Sequence, residues 1–149
     1  MEGGANIRNE LNLLIGLCRL DFDPAQAEKI RSVLSEITEW QYFAGMANAH
    51  GVGAMAYYNL DRLGLLKFLP VETHDFLKNL MVMSLARNTS HVSHMKEVLS
   101  ILGGAGIKTI LLKGMALENS LFGNRGIRQM TDVDVLISRD ECIKARKLL

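Results

Sequence analysis

The sequence predicts an α+β fold, in which a mostly helical N-terminal region is followed by the start of a small sheet. Apolar residues recur at helical spacing from Ile7 to Leu102. The segment 107–112 is short, apolar and β-branched and lies between glycines, which is typical of a strand. Residues 132–135 then alternate between polar and apolar side chains, as a strand with one buried face does.

Four or five helices are predicted before the first strand. Asp23-Pro24 marks a helix start, because proline fits the first helical position. Thr38–Gln41 has the form of a capping box. The predicted helices are Ile7 to Leu20, Pro24 to about Ile37, a helix from the capping box to His50-Gly51, Val52 to Leu63 before Gly64, and Pro70 to Leu102, where Gly103 and Gly104 end it.

A strand, a turn and a short helix are predicted next. Ile107–Leu112 is expected to form a buried strand, and a turn at Gly114 leads into a helix over Met115–Leu121. A helix start offers unpaired N–H groups and the positive end of the helix dipole, so a triphosphate could lie there. Glycine at the turn would let the backbone approach that ligand closely.

Positive charge surrounds this turn. Lys113, Arg125 and Arg128 lie close to it in sequence, and Glu118 offsets part of their charge. Arg128 is the better candidate of the two arginines, because it precedes the first aspartate of the next strand by four residues.

Asp132 and Asp134 are predicted to lie on a strand over Thr131–Ile137. Side chains alternate across a strand, so both carboxylates would share one face, with Cα atoms roughly 6.5 Å apart. Mg²⁺ sites commonly combine one or two carboxylates with phosphate oxygens. Two such ions can stabilise the attacking and leaving oxygens of an in-line displacement. The pattern favours phosphoryl or nucleotidyl transfer.

The C-terminal residues predict a further helix. Ser138–Glu141 has the form of a capping box, so a helix is expected from about Arg139 to the end of the sequence. Only two strands precede it, and two strands rarely make a stable sheet alone. We therefore expect a truncated sheet, the front part of a longer protein, with no turnover by itself. Its open edge would favour homo-oligomers.

Composition restricts the class of protein. The 149 residues are 48% hydrophobic and carry a formal charge of +1. This net charge is too small to indicate nucleic-acid binding by the protein as a whole. Two distant cysteines and the lack of a leader predict a reduced, cytoplasmic protein. No apolar run is long enough to span a membrane, so no membrane partner is expected.

Three blocks resemble the signature of the uncharacterised bacterial nucleotidyltransferases, a branch of the DNA polymerase β-like superfamily. They are Leu111-Leu112-Lys113-Gly114, Arg128-Gln129-Met130 and Thr131-Asp132-Val133-Asp134-Val135-Leu136-Ile137. Upstream, Glu39-Trp40 and Ala47-Asn48-Ala49-His50-Gly51-Val52 are similar to the helical N-terminal portion of that family. The resemblance extends from about Thr38 onward.

This resemblance implies a site and a reaction. Gly114 would be the glycine of the phosphate motif, and Asp132 and Asp134 would be catalytic carboxylates that bind Mg²⁺ or Mn²⁺. Lys113, Met115 and Arg128 would complete the nucleotide site. The enzyme would move a nucleoside monophosphate from an NTP to an unidentified acceptor, which is a small molecule, a protein or RNA. Residues 1–103 would be the helical region, and 104–149 the N-terminal part of the nucleotidyltransferase core.

Two departures from the family pattern leave alternatives open. Met115 follows Gly114 where the superfamily has serine or glycine, and the sequence stops before the later strand that would carry the third carboxylate of the superfamily. A non-catalytic nucleotide- or protein-binding module with the same fold is the main alternative, and a purely helical interaction protein is another. If Asp132 and Asp134 only faced solvent on an edge strand, or if Gly114 only ended a strand, these residues would form no nucleotide site. His91 and His94 are interpreted as a polar surface pair.

Overall fold

The computed structural model describes residues 3–123 and 126–149, with side chains from Asn9 onward, and confirms the α+β class. The helices within these ranges are α1 (Gly3–Leu17), α2 (Pro24–Leu34), α3 (Trp40–Ala49), α4 (Gly53–Arg62), α5 (Val71–Gly104), α6 (Lys113–Ser120) and α7 (Cys142–Leu148). The strands are β1 (Thr109–Leu111) and β2 (Val135–Ile137), and 3₁₀ helices span Leu66–Phe68 and Arg139–Glu141.

The chain divides into two compact units, Met1–Met83 and Ser84–Leu149, and the division falls within α5. The first unit is helical. Its core forms because α1, α3, α4 and the start of α5 each bury one apolar face, which is the pattern their sequence spacing predicts. The most deeply buried side chains of this core are Leu13, Leu17, Phe43, Ala47, Ala56, Leu60 and Leu77.

Buried polar side chains set where two helices of the first unit begin and end. Asn59 donates its amide to the carbonyls of Leu17 and Arg19, at 2.7 and 2.8 Å. α1 ends at Leu17, so the predicted end at Leu20 is wrong, and Asn59 satisfies carbonyls at and just after this end. α2 ends at Leu34 rather than near Ile37.

The start of α2 is confirmed, whereas the N-cap of α3 is not the predicted Thr38. Asp23 accepts a hydrogen bond from the Gln26 N–H at 2.7 Å, and the Gln26 side chain accepts one from the Asp23 N–H. The N-cap of α3 is Glu39, without a side-chain capping bond. Glu10 of α1 instead accepts the N–H groups of Thr38 and Glu39. A buried carboxylate from another helix therefore satisfies backbone donors at this start.

The second unit contains an antiparallel pair of strands, in which Thr109 pairs with Ile137 and Leu111 with Val135. Both strands are shorter than predicted. The prediction that the first strand is buried is wrong for one face, because Ile110 and the facing Leu136 are 58% and 52% exposed. The opposite side packs on a small core of Leu102, Ile107 and Ala145, with Val98, Ala105 and Ile137 around it.

The C-terminal segment forms the predicted helix in two parts. A 3₁₀ turn follows Ser138, which makes no side-chain capping bond, and α7 then begins at Cys142. Ala145 on α7 is buried, whereas Ile143 is exposed. Across residues 3–123 and 126–149, no helix combines the length and apolar character that a membrane crossing requires. Cys18 and Cys142 are free thiols.

Candidate functional site

The turn into α6 is built differently from the prediction. Leu112 is extended and serves as the N-cap, and the helix starts at Lys113, so Gly114 is its second residue rather than the turn. Lys113 has a φ of 46°, a left-handed value that few residues other than glycine adopt. Such conformations cluster at functional sites, where the surrounding structure maintains them.

Asp132 and Asp134 lie just before β2 rather than on it, which corrects the predicted strand. The ladder nevertheless extends to Asp134, because the Leu112 N–H donates to its carbonyl at 3.0 Å. This bond fixes the backbone of Asp134 beside the N-cap of α6. Asp132 is exposed, and the Thr131 hydroxyl approaches its carboxylate at 3.4 Å.

Lys113 and Asp134 form an ion pair at the start of α6. The Lys113 ammonium lies 2.9 Å from Oδ2 of Asp134. The hydrogen bond to Asp134 raises the pKa of Lys113, and the charges of Asp134 and Asp132 raise it further, against a smaller opposing effect of desolvation. The structure therefore brings together the predicted lysine and the predicted carboxylates, and both carboxylates act electrostatically on one ammonium.

Gly114 leaves space that a side chain would fill. A Cβ at this position would lie 3.1 Å from Cγ and Sδ of Met130 and 3.8 Å from Nε of Arg128. The Arg128 side chain is thus beside the first turn of α6, where backbone N–H groups have no partner within the helix. The Met115 side chain is buried, so only its backbone is available to a ligand.

The carboxylates suit a divalent cation by their chemistry, since Mg²⁺ and Mn²⁺ prefer oxygen ligands. Asp132 and Asp134 supply two such groups. In the part of the chain that the structure describes, no three histidine, cysteine, aspartate or glutamate side chains come together as a metal site. Any cation at these residues would therefore need oxygen ligands besides the two carboxylates.

Sequence reasoning missed the residues that hold the Arg128 segment. Asn88 of α5 donates its amide to the Arg128 carbonyl at 2.8 Å. Glu118 of α6 is 1% exposed, and its Oε1 accepts the Gly126 N–H at 2.7 Å. These two bonds link the segment that carries Arg128 to α5 and to α6. The available signal was a row of polar residues at helical spacing on α5, to which Asn88 belongs.

Gly126 is required where this segment meets α5. Its φ is 68°, and a Cβ there would lie 2.5 Å from the Leu85 Cα. Only glycine permits this approach of two backbones. Arg125, which the sequence placed among the cations of the site, lies outside the described residues.

Several buried polar atoms around this segment lack a hydrogen-bond partner. The atoms concerned in the second unit, among those that the structure describes, are Ser84 Oγ, Asn88 Oδ1, His91 Nε2, Glu118 Oε2 and Arg128 Nε. Ser84, Asn88 and His91 follow helical spacing and share one face of α5. The interpretation of His91 as part of a surface pair is wrong, because its Nε2 is buried. Buried polar atoms of this kind commonly bind ordered water or a ligand.

The start of α6 is surrounded by carboxylates, a lysine and an arginine. Sites of this class suit the transfer of phosphorus-containing groups. The family to which the chain is similar is of the same class. Residues 36–149 match the family of uncharacterised nucleotidyltransferases, and the chain belongs to that family. The match confirms the resemblance that the sequence blocks indicated from about Thr38. No curated protein and no solved structure matches the chain.

Proposed function

We propose that the protein is a metal-dependent enzyme that transfers a nucleoside monophosphate from an NTP to an acceptor, with release of pyrophosphate. The observation that carries the proposal is the 2.9 Å pair between Lys113 and Asp134 at the start of α6. It brings a carboxylate that can bind a cation to the helix end that can bind phosphate. Family membership supports nucleotidyl transfer as the class of reaction.

In this mechanism Asp132 and Asp134 would hold Mg²⁺ or Mn²⁺, which would neutralise phosphate charge when bound. Lys113 is the cation that contacts Asp134 in the structure. A divalent ion would compete with this ammonium for the carboxylate. Lys113 would hold Asp134 in position until the ion binds, and the ammonium that the ion releases would then supply positive charge to the phosphates.

The phosphates would lie at the first turn of α6. Backbone N–H groups at Gly114 and Met115 can donate to phosphate oxygens, and the absence of a side chain at Gly114 permits close approach. Arg128 lies beside Gly114 and adds a guanidinium that can bind phosphate in a bidentate manner. Catalysis would then come from positioning and charge stabilisation.

The proposal is tested by thermal unfolding with each of the four common NTPs, with and without Mg²⁺ or Mn²⁺. At about a hundred times its dissociation constant, a ligand adds ~2.7 kcal/mol of stability. We expect a metal-dependent increase in Tm, and we expect Asp132→Asn and Asp134→Asn to abolish it. Asp140→Asn is the matched control, because this carboxylate lies on the 3₁₀ helix after β2. An increase that survives in both site variants would refute the assignment.

A non-catalytic nucleotide-binding module is the second candidate. The observation that favours it is Met115, whose buried side chain offers no hydroxyl to the phosphates. The two candidates are separated by incubation with labelled NTP and acceptor extracts of small molecules, protein and RNA. Metal-dependent binding without any labelled product would favour the module.

A further inference from the structure

The first unit contains a cavity of about 630 Å³ between the end of α2 and the turn that follows α4. Binding sites for small molecules commonly have this size, with apolar walls and a few polar groups. None of its lining residues belongs to the nucleotidyltransferase site described above. We propose that this cavity binds a small aromatic carboxylate.

Local backbone structure shapes the floor of the cavity. Gly64, with a φ of 68°, follows the end of α4, and the Leu65 N–H bonds back to the Leu60 carbonyl at 2.8 Å. This turn places Leu65 in the core beside Leu34 and Ile37, and the three side chains are 3 to 7% exposed. The floor is therefore apolar and is held by elements on both sides.

Aromatic rings form part of the wall. Trp40 is half-buried, and its ring packs edge-on against Phe43 with the centroids 6.0 Å apart, which holds it in place. Phe68 lies on the 3₁₀ helix and is 58% exposed. Both rings line the cavity. Aromatic pairs prefer offset or edge-to-face contacts and add free energy beyond that of area burial, so the wall favours an aromatic ligand.

The charged residues that line the cavity are cations, and no aspartate or glutamate is among them. Arg31 forms an exposed pair with Glu28 at 3.3 Å. The Lys67 ammonium lies 5.1 Å from the centre of the Phe68 ring and has no hydrogen bond or ion pair within the described chain. A cation placed over an aromatic ring, above an apolar floor, complements a ligand with a ring and a carboxylate.

The carbonyl groups at the end of α2 do not repel an anion strongly, because they already accept hydrogen bonds from the chain itself. The Ser35 hydroxyl donates to the Ser32 carbonyl, and the N–H groups of Ser35 to Ile37 bond back to carbonyls between Arg31 and Leu34. Lys67 is thus the cation of the lining that a ligand carboxylate can pair with, since Arg31 already pairs with Glu28. The cavity is assigned to an anion for this reason.

Trp40 makes a direct test possible, because it is the only tryptophan of the chain and lines the cavity. The test titrates the full chain with phenylbutyrate while tryptophan emission is recorded under selective excitation. Phenylbutanol, a neutral molecule of nearly the same shape, is titrated in parallel. We expect a saturable change in emission with phenylbutyrate and weaker binding of phenylbutanol.

Charge variants identify the carboxylate contact. We expect Lys67→Gln to weaken phenylbutyrate binding by roughly threefold to fivefold, as the loss of a single exposed ion pair would, and to leave phenylbutanol binding unchanged. Lys29→Gln is the matched control, because this exposed lysine lies on α2 outside the cavity lining. Equal affinity of wild type for both ligands, absence of saturable binding, or equal loss in the Lys29 variant would each overturn the proposal. The titration contains no nucleotide, so its outcome is independent of the proposed transfer activity.

Discussion

Lys113 combines a left-handed backbone with an ammonium that contacts a predicted metal ligand. The hydrogen bond to Asp134 raises its pKa, so folding favours the charged lysine. A raised pKa stabilises the folded chain at pH values below the ordinary lysine value of 10.5, and this contribution is lost as pH rises through the raised pKa. Lys113 is therefore charged at neutral pH.

This electrostatic coupling can be measured at the side-chain nitrogen of Lys113. NMR titration should give a pKa for Lys113 above 10.5 in the wild type. In Asp134→Asn the pKa should fall towards the ordinary value, because the charged acceptor is removed. Asp140→Asn should leave it unchanged. An equal Lys113 pKa in the wild type and the Asp134 variant would show that the ion pair does not form in solution.

Gly114→Ala tests the space beside Arg128. The new methyl group would meet Met130 at 3.1 Å. Methionine is flexible and can move, so the free energy of unfolding should change by less than about 1 kcal/mol. The increase in Tm with metal and NTP should shrink, because the methyl group occupies the approach to the helix start. Urea denaturation and thermal unfolding measure the two effects.

Gly103→Ala is the control for Gly114→Ala, since nothing lies within 4 Å of a Cβ at that helical position. It should leave the nucleotide response unchanged. A full nucleotide response in Gly114→Ala would contradict the placement of phosphate at the first turn of α6.

At the scale of elements, the segment 126–130 is held between α5 and α6 by Asn88 and Glu118. Asn88→Ala removes the donor to the Arg128 carbonyl. We expect the free energy of unfolding to fall by about 1–2 kcal/mol, as the loss of a partly buried hydrogen bond does. Thr89→Ala is the control, because its exposed hydroxyl bonds only to the Leu85 carbonyl of the same helix. Equal stability of the Asn88 and Thr89 variants in urea would show that the Asn88 bond does not contribute.

Gly126→Ala should be the more damaging change in the same segment. It combines a positive φ with a Cβ only 2.5 Å from the Leu85 backbone, which cannot yield as a side chain would. Gly106→Ala carries the positive φ alone, with nothing within 4 Å, and should cost about 1–2 kcal/mol. Gly126→Ala should therefore lose clearly more stability in urea than Gly106→Ala. Equal losses would mean that the backbone of α5 is not in contact with this segment.

The starts of α2 and α3 show that a helix start can be predicted only when its capping partners are close in sequence. The Asp23 start of α2 was predicted correctly because the capping bonds join residues three apart. The start of α3 was not, because its acceptor is Glu10, 29 residues before Glu39. The predicted strand positions of Asp132 and Asp134 were wrong by only a few residues, and their roles in metal binding stay predictions.

At the scale of the whole molecule, apolar burial is concentrated in the helices of the first unit. The sheet has two strands and one exposed apolar face at Ile110 and Leu136. Such a pair has little independent stability. The homo-oligomer that an open sheet edge would favour stays a prediction, as does the division into domains at residue 103.

Hydrogen exchange should reveal this difference between the regular elements. The amides of β1 and β2 should exchange faster than the interior amides of α4 by about tenfold or more, which corresponds to ~1.4 kcal/mol in local opening free energy. The helix is expected to be slower because Ala56, Asn59 and Leu60 are fully buried. Equal protection of the strands and α4 would show that another contact stabilises the sheet.

The sequence by itself determined the α+β class, the approximate extents of the helices and the choice of Lys113, Asp132 and Asp134 as candidate residues. These follow from local spacing, since side-chain periodicity and capping act over a few residues. Only the tertiary structure decided the left-handed φ of Lys113, and it alone showed the bonds from Asn88 and Glu118 that hold the Arg128 segment. Hydrogen bonds and close approaches between residues far apart along the chain arise from packing, which no local pattern encodes.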